Sequence, residues 1–194
     1  MLPYPRDHQI DVTGEARGDW YRVMSGLVRR CALFPDGRRQ IVSFLFPGDL
    51  FGFVQTDDSG LFTAEAVVRG TVLARYPRRA VEELMESDPA TGAEIRSMAF
   101  QWMHQMEARL LNLGRMTASE RVGAFLLELS QRSGATPPAE IALQMSRYDI
   151  ADYLALSVET VSRTLTRLQQ RGAIALHSAH QVRIADREAL AVQV

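Results

Sequence analysis

Residues 146–171 read SRYDIADYLALSVETVSRTLTRLQQR, and their spacing decides the C-terminal half of the chain. Ser146 stands three residues before Asp149, the separation at which a hydroxyl and a carboxylate cap a helix start reciprocally. Ile150, Ala151 and Leu154 give this first short helix an apolar face, Leu156 turns inward, and Ser157 caps a second helix. In the second helix Val158, Val161, Leu165 and Leu168 form one apolar stripe at offsets of three, seven and ten. Glu159, Ser162, Arg163, Thr166 and Arg167 are left on the opposite face. Arg can bond guanine with two hydrogen bonds, Glu can accept from cytosine N4, and a hydroxyl tolerates several bases. Two helices at this spacing are predicted to form a helix-turn-helix, although an ordinary helical corner has the same periodicity. The turn position, where glycine is common because φ is often positive, holds Ala155.

Outward from this stretch, residues 141–145 should form a strand that leads into the motif. Ile174–Leu176 and Val182–Ile184 flank His177-Ser178-Ala179-His180 as a wing hairpin, and Asp186 should cap a last short helix. Thr117 to Arg132 reads as a helix with Val122, Phe125, Leu126 and Leu129 apolar, followed by a loop over 133–139. Upstream, Pro89 opens a long helix. Its residues Ile95, Ala99, Trp102, Met106, Arg109 and Leu113 recur every three or four positions, a stripe assigned to pairing with a second copy. Phe100, Met103 and Leu110 are then left to pack on the N-terminal half, and Gly114 reads as a hinge.

The N-terminal half has period two. Trp20–Met24, Leu27–Phe34, Arg39–Phe46, Leu50–Val54, Phe62–Val68 and Thr71–Tyr76 are short strands, separated by Ser25-Gly26, Pro35-Asp36-Gly37, Pro47-Gly48-Asp49 and Arg69-Gly70. Ile41, Ser43 and Leu45 should share one side of their strand, and residues before Gly18 show no period. Many short strands joined by tight turns predict a barrel or roll. Arg78–Ser87 is a short helix.

The 194 residues suffice for two small domains, and 46% hydrophobic with 23% charged content is that of a soluble globular protein. There is no apolar run of about 18 residues and no leader pattern, so a cytoplasmic protein with no membrane partner is expected. A single cysteine, Cys31, excludes an internal disulfide or a four-thiolate cluster. Net charge is −1, every basic side chain is Arg, and from Gly114 onward nine Arg face eight acids. Attraction to DNA must therefore come from local placement, as in the run Arg163, Arg167, Arg171. The four histidines, His8, His104, His177 and His180, lie outside the roll strands and do not make a cupin-type metal centre. No phosphate loop, nucleophile elbow or catalytic carboxylate pair is present, so neither enzyme activity nor a metal or cofactor is expected.

The order of roll, long helix and winged helix-turn-helix resembles the Crp/Fnr family of bacterial transcription regulators. The residues that carry the resemblance are Gly26-Leu27-Val28-Arg29, Arg39-Gln40-Ile41, Phe46-Pro47-Gly48-Asp49 with Gly52, Ala64-Glu65-Ala66, and the helix-turn-helix. FGF, TAEA and DIADYLALSVETVSR are most similar to the FixK-like subgroup. The resemblance implies an α+β fold: a cyclic-nucleotide-binding-like β-roll over 1–88, a dimerisation helix over 89–113, and a DNA-binding domain over 114–194. It implies a homodimer acting on palindromic DNA with TTGA-type half-sites, and RNA polymerase as a partner, with the 55–60 loop as the candidate surface for it. Glu159, Ser162 and Arg163 match the family's base-reading residues, and Ser157, Thr160, Arg147, Arg167 and His180 complete the expected DNA-binding set. Cyclic-nucleotide binders of the family carry Glu after the loop glycine and Arg before Ser/Thr-Ala. Here Phe53 follows Gly52, and Phe62 precedes Thr63-Ala64, so no cyclic-nucleotide effector is expected. A haem- or redox-responsive regulator, using His8, His104 or Cys31, is the alternative.

Overall fold

The structure, a computed structural model, describes residues 3–10, 18–52, 62–132 and 140–190. The chain divides into two units, Met1–Glu107 and Ala108–Val194. The first contains strands β1 (Gln9–Ile10), β2 (Trp20–Ser25), β3 (Val28–Leu33), β4 (Arg39–Leu45), β5 (Leu50–Phe51), β6 (Phe62–Ala66) and β7 (Val72–Tyr76), then helix α1 (Arg78–Ser87). Helix α2 (Pro89–Arg115) begins in the first unit and ends in the second. The second unit continues with α3 (Ala118–Arg132), β8 (Glu140–Ala142), α4 (Arg147–Leu154), α5 (Val158–Gln170), β9 (Ile174–Ser178) and β10 (Gln181–Ile184).

Two antiparallel sheets, β1-β6-β3-β4 and β5-β2-β7, share one core of Ile10, Tyr21, Val23, Val28, Leu45, Phe51, Ala64 and Leu73. This is the β-roll. Two glycines are required by contact as well as by conformation. Gly26 has φ +87°, and a Cβ there would lie 2.5 Å from the hydroxyl of buried Thr71. Gly52, the last residue of the Pro-Gly-Asp loop motif, has φ +95°, and a Cβ would collide with the Asp19 carbonyl oxygen.

The roll departs from the sequence reading in places. Residues before Gly18 contribute a strand after all: β1 pairs with β6 and buries Ile10, while Tyr4 bridges Thr71. A two-residue strand has no period to read, and only its neighbour creates it. A register shift between Arg30 and Cys31 places Ile41 opposite Cys31 but Ser43 opposite Arg30. Phe44 and Leu45 are consequently both buried, and the simple alternation of β4 fails at this bulge. The end of the strand expected at Leu50–Val54 and the 55–60 loop lie outside the described residues, as does the 133–139 loop.

The long helix also corrects the reading. It runs through Gly114 to Arg115, so this glycine does not break it. More consequentially, Ile95, Ala99, Trp102, Met106, Arg109 and Leu113 are the half-buried side of the helix. Among the described residues the exposed large apolar side chains of this helix are Met98, Phe100, Met103, Leu110 and Leu111, with exposures of 41%, 63%, 52%, 70% and 66%. The stripe expected to meet a second copy is thus the half-buried side of the helix, and the residues expected to pack internally are the more open side. Arg109 makes the point by itself, since its Nη2 donates to the Tyr153 carbonyl at 2.7 Å.

In the second unit, Thr117 caps α3 and does not lie inside it. Its N–H and hydroxyl both donate to the Glu120 carboxylate, at 2.7 and 2.8 Å. The strand expected over 141–145 shortens to β8, although Leu143 and Met145 remain buried. Asp186 starts a turn, not the expected short helix: its carboxylate accepts from the Glu188 and Ala189 amides, and turn structure continues to Leu190, where the described residues end. The sheet β8-β10-β9 forms the wing.

Candidate nucleic-acid interface

The helix-turn-helix is fixed by local hydrogen bonds that its own residue types supply. Ser146 and Asp149 form a full capping box: the serine hydroxyl accepts from the Asp149 amide at 3.1 Å, and the carboxylate accepts from the Ser146 amide at 3.1 Å. Helix α4 buries Ile150, Ala151 and Leu154, then stops at Ala155, whose φ 52° and ψ 49° are left-handed. The Leu156 amide then bonds the Ala151 carbonyl at 3.0 Å and closes the turn. Ser157 caps α5 through the Thr160 amide at 3.1 Å. Because alanine is strained in this conformation, Ala155→Gly should raise stability by about 1 kcal/mol. A denaturant titration read by circular dichroism checks this, with an unchanged or lower midpoint counting against it.

Helix α5 buries Val161, Thr164, Leu165 and Leu168. Glu159, Ser162, Arg163, Thr166 and Arg167 are all exposed, and Ser162, Arg163, Thr166, Arg167 and Gln170 line a shallow surface depression. The Glu159 carboxyl is held below the usual carboxylate range by its own backbone N–H, by the Ser157 hydroxyl and then by Arg163. It is therefore an ionised, acceptor-only group at neutral pH, suited to a cytosine amine. Arg163 one turn on, with Arg167 and Arg171 also exposed, supplies donors.

The remaining residues of the expected set are placed less openly. The Ser157 and Thr160 hydroxyls lie 2.9 Å apart and bond each other at the helix start. Arg147 is half-buried, its Nη1 is buried without a hydrogen-bond partner among the described residues, and burial lowers its pKa. His180 is exposed on the wing, and its Nδ1 lies 3.1 Å from the Leu143 carbonyl oxygen. Sequence reasoning missed Tyr148, 69% exposed in the first turn of α4 beside Arg147. Among the described residues no group of three His, Cys, Asp or Glu could hold a metal ion, and no helix is long and apolar enough to cross a membrane.

A model of the Crp-like helix-turn-helix domain matches residues 120–192, and one of the cyclic nucleotide-binding domain matches residues 2–88. The nitrogen fixation regulation protein FixK of Azorhizobium caulinodans is 44% identical over 190 residues, covering 96% of this chain and 76% of that protein. The chain belongs to the Crp/Fnr family, in its FixK-like branch. The FixK protein of Rhizobium meliloti is similar at 40% identity, over 98% of this chain and 85% of its own. The solved structure of FixK2 from Bradyrhizobium japonicum superposes with a TM-score of 0.86 at 36% identity, covering 97% of this chain and 93% of that one. As a FixK-like Crp/Fnr protein, the chain is a transcription regulator that binds DNA through its helix-turn-helix.

Proposed function

We propose that the protein is a homodimer that reads a palindromic TTGA-type site with two α5 helices, and that it does so without a cyclic-nucleotide effector. The observation that carries this reading is the exposed face of α5, where Glu159, Ser162 and Arg163 stand together on the solvent side. Arg163 takes guanine, Glu159 takes cytosine, and Ser162 lies near a thymine, in agreement with the match to the family's reading residues. Arg167 and the His180 wing are assigned to phosphates, which position the helix but carry no sequence information. Pairing is assigned to the exposed face Phe100, Met103, Leu110 and Leu111. A two-fold dimer sets its helices in successive major grooves, about 34 Å apart. RNA polymerase is the further partner, and cytoplasm the compartment, because the template lies there.

The effector-free reading is supported by the residues where a nucleotide phosphate would need a cation. Phe62, immediately before Thr63-Ala64, is uncharged and half-buried, and its ring lies 5.8 Å from the Arg30 guanidinium carbon. Phe53, the other departure from the nucleotide-binding pattern, lies outside the described residues. The redox alternative loses support because Cys31 is fully buried, which keeps its thiol out of reach of oxidants. His8 and His104 are both exposed, and His104 stands 3.6 Å from Glu107, so neither has the sheltered surroundings of an axial haem ligand.

Footprinting on a palindromic TTGA-type duplex, with and without cyclic AMP, tests the whole proposal. Symmetric protection of both half-sites, unchanged by the nucleotide, is expected. Protection only when cyclic AMP is added overturns the effector-free part, and none under either condition overturns the DNA site.

A further inference from the structure

Within the second unit, the carbonyl end of α4 is held by two guanidinium groups that neither the DNA-reading face nor the pairing face uses. The last carbonyls of a helix have no partner inside it. Here the Tyr153 carbonyl accepts from Arg109 Nη2 at 2.7 Å, and the Leu154 carbonyl accepts from Arg121 Nη1 at 3.2 Å. Arg121 spends its other nitrogens on the end of α2: Nη2 donates to the Leu113 carbonyl at 2.7 Å, and Nε to the Met116 carbonyl at 3.0 Å. One planar cation thus joins the negative ends of two helices, a favourable place for positive charge. Arg109 also lies over the Tyr153 ring, with its guanidinium carbon 3.9 Å from the ring centroid. The Tyr153 ring meets Phe125 of α3 at 5.5 Å, and its hydroxyl reaches Glu128 at 3.4 Å.

From this geometry we infer that Arg109 and Arg121 are positioning residues: they form a joint that sets α4, and through the closed turn α5, at a fixed angle to the last turns of α2. In the dimer proposed above, on which this inference rests, the joint makes the protein selective for the spacing between half-sites. Loss of either guanidinium leaves the reading of each half-site intact and relaxes the tolerated spacing.

The test uses full-length wild type, Arg109→Ala, Arg109→Lys and Arg121→Ala. Fluorescence anisotropy is measured on a palindromic duplex, on the same duplex with one base pair inserted between half-sites, and on a single half-site. Wild type is expected to prefer the uninserted palindrome by about tenfold or more, because both helices must meet their grooves in phase. In Arg109→Ala and Arg121→Ala that preference should shrink to about threefold or less, with single-half-site affinity within about twofold of wild type. Arg109→Lys, which keeps the charge but loses the planar guanidinium, should fall between. Backbone hydrogen exchange without DNA gives a second readout that does not depend on the dimer. Exchange of α4 amides should accelerate by about tenfold in Arg109→Ala while those of α3 and the wing do not change. Should Arg121→Ala fail to fold, Arg109→Ala carries the test alone. An undiminished spacing preference in folded Arg109→Ala, an equal loss on all three duplexes, or unchanged α4 exchange would overturn the joint. Wild type that binds the single half-site as tightly as the palindrome would instead overturn the dimeric reading, and the exchange result would still decide whether the joint exists.

Discussion

Met103→Asp combined with Leu110→Asp is expected to give a folded monomer whose affinity for a palindromic site is lower by about a hundredfold or more, because the second half-site contact ceases to be intramolecular. Both side chains are more than half exposed in the single chain, so the substitutions remove little internal packing. In a two-fold pair each appears twice, and four carboxylates would then face one another across an apolar seam. Light scattering after size exclusion reads the oligomeric state, and anisotropy on one and two half-sites reads the affinity. A double variant that remains dimeric would return the pairing face to the Ile95–Trp102–Met106 side. The melting temperature should change little. A large drop would mean that Met103 and Leu110 pack internally.

Arg163→Ala is the second large effect, a loss of about 1–3 kcal/mol, or roughly five- to 150-fold, concentrated at one base pair of each half-site. Arg163 is exposed and takes no part in the cap of α5, so its removal should leave the fold unchanged. The discriminating measurement is a set of half-site duplexes substituted at the guanine. Wild type should lose affinity on them, and Arg163→Ala should bind them about as well as the original site. An equal loss on unrelated DNA would reduce Arg163 to a phosphate contact.

Much of this architecture was legible because its causes are local. Ser146 and Asp149 bond across one helical turn, Ser157 caps the next helix, and the apolar offsets of α5 select which face is buried; none of these needs a distant residue. The strands of the roll were legible for the same reason, since Pro35-Asp36-Gly37 and Gly26 force turns whatever lies around them. The long helix was located, but the exposure of its two sides was not. Its two stripes are both apolar and both spaced by three or four, so periodicity alone could not tell which one the chain shields.

The sequence by itself determined the kinds of elements, their order, and the face of α5 that carries Glu159, Ser162 and Arg163, because capping, turn and period signals act over a few residues. Tertiary structure alone decided that Ile10 forms a strand against Ala64, that Phe100 and Leu110 are the open side of α2, and that Arg109 and Arg121 clasp the end of α4. Each of these depends on a neighbour brought close by the fold, and the energy of a through-space contact leaves no mark on the spacing of residues along the chain.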